Sequence, residues 1–249
     1  MAIKHSTIKI SGQRGYAADW NADHVIDEGS KALRGNTIIV CASDSLDTGR
    51  ADYICDGVND EVQINDALTD ASAKNGSVLL LEGTYYLDDV VNIPTDTTLK
   101  GVGWGSILRI NKGSKSYLIT LGTRSTIRDL KFDGVFIGDW VFQDANYTKV
   151  SFINVWFNGT ITWFGPGNRT LCKWLDNYWT AGAIVGGDYS WHDTMTECII
   201  IRNLFDVTSG KIWYVNTSLT DSIFTSNIYK GATSYFQATS NSITTGNIS

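Results

Sequence analysis

The phrase Phe152-Ile153-Asn154-Val155 returns as Leu175-Asp176-Asn177-Tyr178 and again as Ile201-Arg202-Asn203-Leu204. Two weaker copies follow, Thr225-Ser226-Asn227-Ile228 and Thr245-Gly246-Asn247-Ile248, and Asp129 stands 25 residues before the first asparagine. The asparagines are spaced by 23, 26, 24 and 20 residues. A period of this length, with short strands and no helices between them, is what one coil of a parallel β-solenoid needs. Asparagine suits the bend of such a coil because it tolerates the left-handed backbone conformation, and stacked amides can hydrogen-bond along the axis. Asp129, Asn154, Asn177, Asn203, Asn227 and Asn247 are therefore expected to form one structural ladder.

Strand alternation then assigns faces. The residue after each ladder position is apolar (Leu130, Val155, Tyr178, Leu204, Ile228, Ile248) and is expected inside. The one after that is expected outside, where Trp156, Trp179, Phe205 and Tyr229 would stack at a spacing of about 4.8 Å. Such a column suits two roles. It is a platform for the apolar face of a sugar, with indole N–H or phenol groups as hydrogen-bond donors, or a contact with a neighbouring subunit. An asparagine bend that shifts the alternation by one residue would exchange the faces.

Composition limits the alternatives. With 43% hydrophobic and 18% charged residues, 24 glycines and only 2 prolines, the chain is folded and turn-rich rather than disordered. A net charge of −6 and a pI near 5.0 argue against nucleic acid, which demands a basic patch. No apolar run is long enough to insert in a membrane, and residues 1–7 lack the hydrophobic core of a secretion signal. The four cysteines show no metal-type spacing. Cys172 and Cys198 each precede a ladder asparagine by five residues, as do Ser222 and Ser242, so a column of small side chains is expected there, with a disulfide as the alternative. No cofactor is implied.

Along the chain, residues 1–35 form a glycine-containing leader of mixed charge. Residues 36–76 hold a strand at 37–41, a polar loop and a helix, which Asp60 and Gln63 would open as a capping box. Val62, Ile64, Ala67, Leu68 and Ala71 give that helix its apolar face, and Asn75-Gly76 ends it. Residues 77–249 read as strand and turn throughout. One amphipathic helix ahead of a solenoid is placed to cover its first coil.

Three stretches carry a resemblance: Asp56-Gly57-Val58-Asn59-Asp60-Glu61-Val62-Gln63, Gly76-Ser77-Val78-Leu79-Leu80-Leu81-Glu82-Gly83, and Ile93-Pro94 through Gly101-Val102-Gly103-Trp104-Gly105-Ser106. Together with the coil-like Ser125–Gly134, they resemble the pectate-lyase-like β-helix superfamily over about residues 50–249. The resemblance implies an all-β fold, a right-handed single-stranded parallel β-helix with an N-terminal capping α-helix. The superfamily mixes lyases, hydrolases and catalytically inactive adhesins, so chemistry does not follow from it. The leader, above all Asp19-Trp20-Asn21-Ala22-Asp23-His24-Val25-Ile26, resembles that of tail-associated and fibre proteins of viruses infecting prokaryotes. This implies attachment to other virion proteins through residues 1–35, a virion localisation and a homotrimer. A chain ending inside a coil would then be covered by a trimer mate, another virion protein or further residues.

The resulting expectation is a tailspike- or fibre-like protein that displays a β-helix to recognise a host cell-surface polysaccharide. The alternative is a polysaccharide depolymerase, which needs two carboxylates flanking the scissile bond. Asp188, Asp193 and Glu197, with His192 among them, are the candidate catalytic residues, and Arg128 and Arg202 are the basic groups a lyase would want. A third reading is a purely structural virion component. The acidic Asp56, Asp60 and Glu61 are read as helix capping rather than calcium binding.

Overall fold

The computed structural model describes residues 35–110, 117–134, 141–143, 145–159, 167–180, 194–210, 218–232, 237–240, 243, 245 and 246. The leader at 1–34 lies outside them, and the described fold belongs to the unit Asn36–Ser249.

Strands Thr37–Cys41, Ser77–Leu80, Thr98–Gly101, Thr126–Gly134, Ser151–Asn158, Lys173–Leu175, Ile199–Ile201 and Ile223–Thr225 lie side by side in that order, every neighbour parallel. Past a corner, a second parallel run stacks Gly83–Leu87, Ser106–Ile110, the later halves of Thr126–Gly134 and Ser151–Asn158, then Tyr178–Thr180, Leu204–Gly210 and Ile228–Ala232. A third run holds Tyr147–Thr148, Arg169–Thr170, Thr194–Thr196, Ser218–Thr220 and Gln237–Ser240. Each strand pairs with its counterpart one coil away, which is the parallel β-helix expected from the asparagine period. Connections between parallel strands favour the right-handed sense.

The helix, α1 (Glu61–Ser72), buries Ile64, Ala67, Leu68 and Ala71 against the strands Thr37–Cys41, Ser77–Leu80 and Val91–Ile93. Those four share one helical face. Val62 does not; it is exposed, because a step of two residues turns it away from Ile64. The expected capping box is also absent, since no side chain caps the helix. The buried Asp60 instead accepts the N–H groups of Gly57 at 2.9 Å and Tyr86 at 2.8 Å, while Glu61 accepts that of Asp88 at 3.1 Å. These carboxylates anchor the helix to the first coils rather than close its own end. Among the described residues no helix is long and apolar enough to cross a membrane.

The core is a set of ladders running along the axis. On the first face Val78, Leu99, Ile127, Phe152, Trp174, Ile200 and Phe224 follow one another inside. At the turn before this face, Ser125, Val150, Cys172, Cys198 and Ser222 occupy successive coils and are buried, as expected of Cys172, Cys198 and Ser222, while Ser242 lies outside the described residues. Both thiols are free. Cys172 donates toward the carbonyls of Tyr147 and Thr170, and Cys198 toward those of Arg169 and Thr196. Both thiols are buried among backbone carbonyls, which suits packing.

Two corners recur along the coils with left-handed residues, the second from Asp129 onward. Asp96, Arg124, Lys149, Leu171, Glu197 and Asp221 form the first, with φ of 49–61°. Asp129, Asn154, Asp176, Arg202 and Ser226 form the second, with φ of 53–58°.

Candidate functional site

The second corner decides which side chains reach the surface. Strand pairing sets Ile153 beside Leu175 and Trp156 beside Tyr178. Asn154 therefore matches Asp176, and Val155 matches Asn177. The expected single ladder is in fact two. Asp129 and Asn154 occupy the left-handed corner, joined by a 2.8 Å bond from the Asn154 amide to the Asp129 carboxylate. Asn177, Asn203 and Asn227 lie one slot later, buried, in line with Leu130 and Val155. There Asn177 receives N–H from Val155 at 3.0 Å, Asn203 receives it from Asn177 at 3.0 Å, and Asn227 from Asn203 at 2.9 Å. Their Nδ2 groups donate to Phe152, Trp174 and Ile200 carbonyls at 3.0–3.1 Å. Asn247 lies outside the described residues.

This slip reverses the faces of three predicted aromatics. Trp179, Phe205 and Tyr229 are buried, not exposed. They continue an internal stack from Phe132 and Phe157, with centroids 5.6 Å (Phe132–Phe157), 3.7 Å (Phe157–Trp179), 5.9 Å (Trp179–Phe205) and 5.3 Å (Phe205–Tyr229) apart and planes within 14°. Counting from the asparagine fails because the asparagine itself changes slot between coils. Only Trp156 keeps its predicted outward place.

The outer column beyond the corner runs Thr84, Ile107, Lys131, Trp156, Tyr178, Leu204, Ile228. Trp156 and Tyr178 stack at 5.6 Å. A third ring comes from Trp104, which lies 5.3 Å from Trp156 and 6.1 Å from Tyr178 and is 41% exposed. Its turn, Gly101–Ser106, fills the place that Asp129 and Leu130 take on the next coil. Glycine is required at its start: a Cβ on Gly101 would sit 2.4 Å from the Asp129 carbonyl oxygen. Gly103, at φ 133°, donates its N–H to that same carbonyl at 3.0 Å. The turn is thus pinned over the second corner, and the Trp104 indole reaches the Asn154 carbonyl at 3.2 Å.

Beside the rings runs a polar column, Arg109, Asp133, Asn158, Thr180, Asp206, Lys230. Asp133 takes Arg109 at 2.8 Å, Lys131 at 3.8 Å and the Asn158 amide at 2.5 Å. Thr180 donates to Asn158 at 2.7 Å and accepts the Trp156 indole N–H at 2.8 Å. The Lys131 ammonium lies 4.1 Å from the Trp156 ring centroid, a cation–π contact. Both outward indoles have therefore committed their N–H to protein acceptors. Lys131, Tyr178 and Trp104 pack on the Trp156 ring, so Trp104 is the ring most open to a ligand, while donors and acceptors come from the column alongside.

Of the candidate catalytic residues, Asp188 and Asp193, like His192, lie outside the described residues. Glu197 stands exposed at the first corner, across the strand Ile199–Ile201 from the aromatic cluster, and the fold does not bring it there. Arg128 is paired with Asp129 at 2.5 Å and Arg202 with Asp176 at 2.6 Å. Among the described residues no cluster of His, Cys, Asp and Glu could hold a metal ion. Trp104 and Tyr178 belong to the site although sequence reasoning did not select them. The available signal was Gly103-Trp104-Gly105, a large aromatic side chain between glycines in a turn.

These features define a parallel β-helix with an outward-facing aromatic corner. No protein-family profile and no curated protein matches the chain. Among solved structures, pectin methylesterase from carrot matches over 84% of each chain, at 15% identity and a TM-score of 0.34. That likeness is too distant to bear on chemistry.

Proposed function

We propose that this protein recognises a cell-surface polysaccharide through Trp104, Trp156 and Tyr178, as a virion tail-associated β-helix. The observation that carries the reading is the rigid aromatic cluster beside a hydrogen-bonded polar column. Sugar rings present CH faces that stack on aromatic rings, and their hydroxyls need donors and acceptors close by. Arg109, Asn158 and Asp133 stand where such hydroxyls would lie. Binding rather than cleavage is supported by the way the nearby carboxylates are engaged. Asp133, Asp129, Asp176 and Asp206 each face a cation, with Asp206 3.7 Å from Lys230. The resemblance of the leader supports the virion setting and attachment through residues 1–35.

The test incubates the protein with a glycan array and bacterial surface polysaccharides, reading bound protein and released fragments together. Binding without fragments is expected, and Trp104→Ala with Trp156→Ala should weaken it at least about tenfold, the loss of about 1.4 kcal/mol. Unchanged binding by a folded double variant would sink the aromatic site. Released oligosaccharide would make the protein a depolymerase.

Self-association has its own support elsewhere on the surface. Ile153, Leu175 and Ile201 form an outward aliphatic column on the first face, with Ile199 and Ile223 beside it. We assign subunit contact, and the trimer implied by resemblance, to that face rather than to the aromatic corner. Leu175→Lys with Ile201→Lys should lower the mass measured by light scattering while leaving the secondary structure intact.

A further inference from the structure

The region before residue 93 is chemically unlike the rest. Residues 36–92 hold eleven Asp and Glu against Arg50 and Lys74, whereas residues 93–249 hold thirteen basic residues against eleven acidic ones. Within this acidic region five large apolar side chains stand exposed: Leu46 at 94%, and Ile54, Val58, Val62 and Tyr86 at 38–62%.

They are held in place rather than carried on loose turns. The buried Asp60 carboxylate ties the turn of Val58 to the strand of Tyr86, and the Asp60 N–H donates to the Tyr86 carbonyl at 3.0 Å. Val62 follows on the first turn of α1. Asp44 accepts the Thr84 N–H at 2.8 Å, and the Ser45 hydroxyl links the Ala42 N–H to the Glu82 carbonyl. These bonds fasten the turn of Leu46 to the same strand, Gly83–Leu87. Ile54 ends Tyr53–Ile54, the outermost strand of its sheet, whose partner among the described residues is Thr37–Cys41.

We infer that this acidic end is a docking surface for a partner protein that presents an apolar contact within a basic rim. The turns of Leu46 and Val58 are fastened to the strand of Tyr86, and exposed apolar groups gathered in one place mark an interaction surface. Their frame of one sign of charge selects the opposite sign in the partner and speeds its approach, while repelling nucleic acid and anionic lipid. The inference stands apart from the glycan reading, since the two surfaces share no residue.

The test uses the full chain and three synthetic peptides of equal length: an amphipathic Lys/Leu helix, a Lys/Ser peptide and a Glu/Leu helix. The Lys/Leu peptide should bind at least about tenfold more tightly than either other at about 0.15 M salt, and weaken as salt rises. Ile54→Ser with Val58→Ser and Val62→Ser should abolish that preference. All three side chains are exposed, so the melting temperature should hold, and glycan binding should not change. Asp47→Asn with Asp56→Asn and Asp88→Asn should flatten the salt dependence. Equal binding of the Lys/Ser and Lys/Leu peptides, or an unchanged preference in the apolar triple variant, overturns the proposal.

Discussion

The second corner of the solenoid is built in two ways. On the coils of Asp129 and Asn154, a left-handed residue makes the bend and an aliphatic one, Leu130 or Val155, follows it into the core. On the next three coils Asp176, Arg202 and Ser226 make the same bend, and a buried asparagine follows. The backbone path is shared, but the inner slot changes from hydrophobic filling to an amide ladder that satisfies backbone N–H and C=O groups of neighbouring coils. The lesson is that one residue type can serve a corner from either side. A periodic asparagine marks the bend without saying which slot it occupies.

The sharpest way to break this comparison is at the aromatics whose faces depend on the slot. Trp179→Ala removes a buried ring from the middle of the internal stack and should cost about 3–5 kcal/mol. Trp156→Ala should cost nearer 1 kcal/mol, because its contacts lie on the outside. Urea unfolding of both variants decides the matter. Comparable losses, or a larger one for Trp156, would mean the register is wrong.

The ladder itself comes next. Asn203 accepts from Asn177 and donates to the Trp174 carbonyl and to Asn227, all out of water. Asn203→Ala leaves those groups unpaired and should cost about 3 kcal/mol. Asn154→Ala loses one half-exposed bond to Asp129 together with asparagine's ease in the left-handed conformation, and should cost about 1–2 kcal/mol. If the two losses are alike, the division into outer and inner asparagines fails.

Much of this was legible in the sequence. The 20–26-residue period, the helix ahead of the coils and the small-residue column of Cys172, Cys198 and Ser222 follow from spacing and composition, because each repeats a packing requirement coil after coil. The faces of Trp179, Phe205 and Tyr229 were not legible. Alternation has a period of two, so a bend of uncertain slot inverts every assignment beyond it. Trp104 escaped for another reason. It enters from a turn inserted on a single coil, and a periodic reading has no column for it. Asp60 misled in a third way, since a helix-capping pattern is local whereas its partner, Tyr86, lies 26 residues away.

The first corner offers a finer comparison, since there the left-handed slot holds Asp96 and Asp221 on some coils and less suited residues on others. Leu171 adopts φ 58° with no short polar side chain to ease the strain. Leu171→Asn should raise stability by up to about 1 kcal/mol, read from the urea midpoint. A loss would show that the apolar contacts of Leu171 outweigh its backbone strain.

The smallest effect expected is electrostatic and lies at the same corner. The Arg124 guanidinium, first by hydrogen bonding and then by charge, holds the Asp96 carboxyl below its ordinary range. A carboxylate with a lowered folded pKa stabilises the protein fully above its unfolded value of about 4 and ceases to as pH falls through the folded value. Asp96→Asn should therefore melt slightly below the parent at neutral pH, with the difference closing under strongly acid conditions. High salt should also shrink it, because both side chains face solvent, at 46% exposed for Asp96 and 50% for Arg124. A gap that persists in acid would trace the role of Asp96 to the backbone of its left-handed turn instead of its charge. The first corner would then depend, like the second, on the shape of the side chain at the bend.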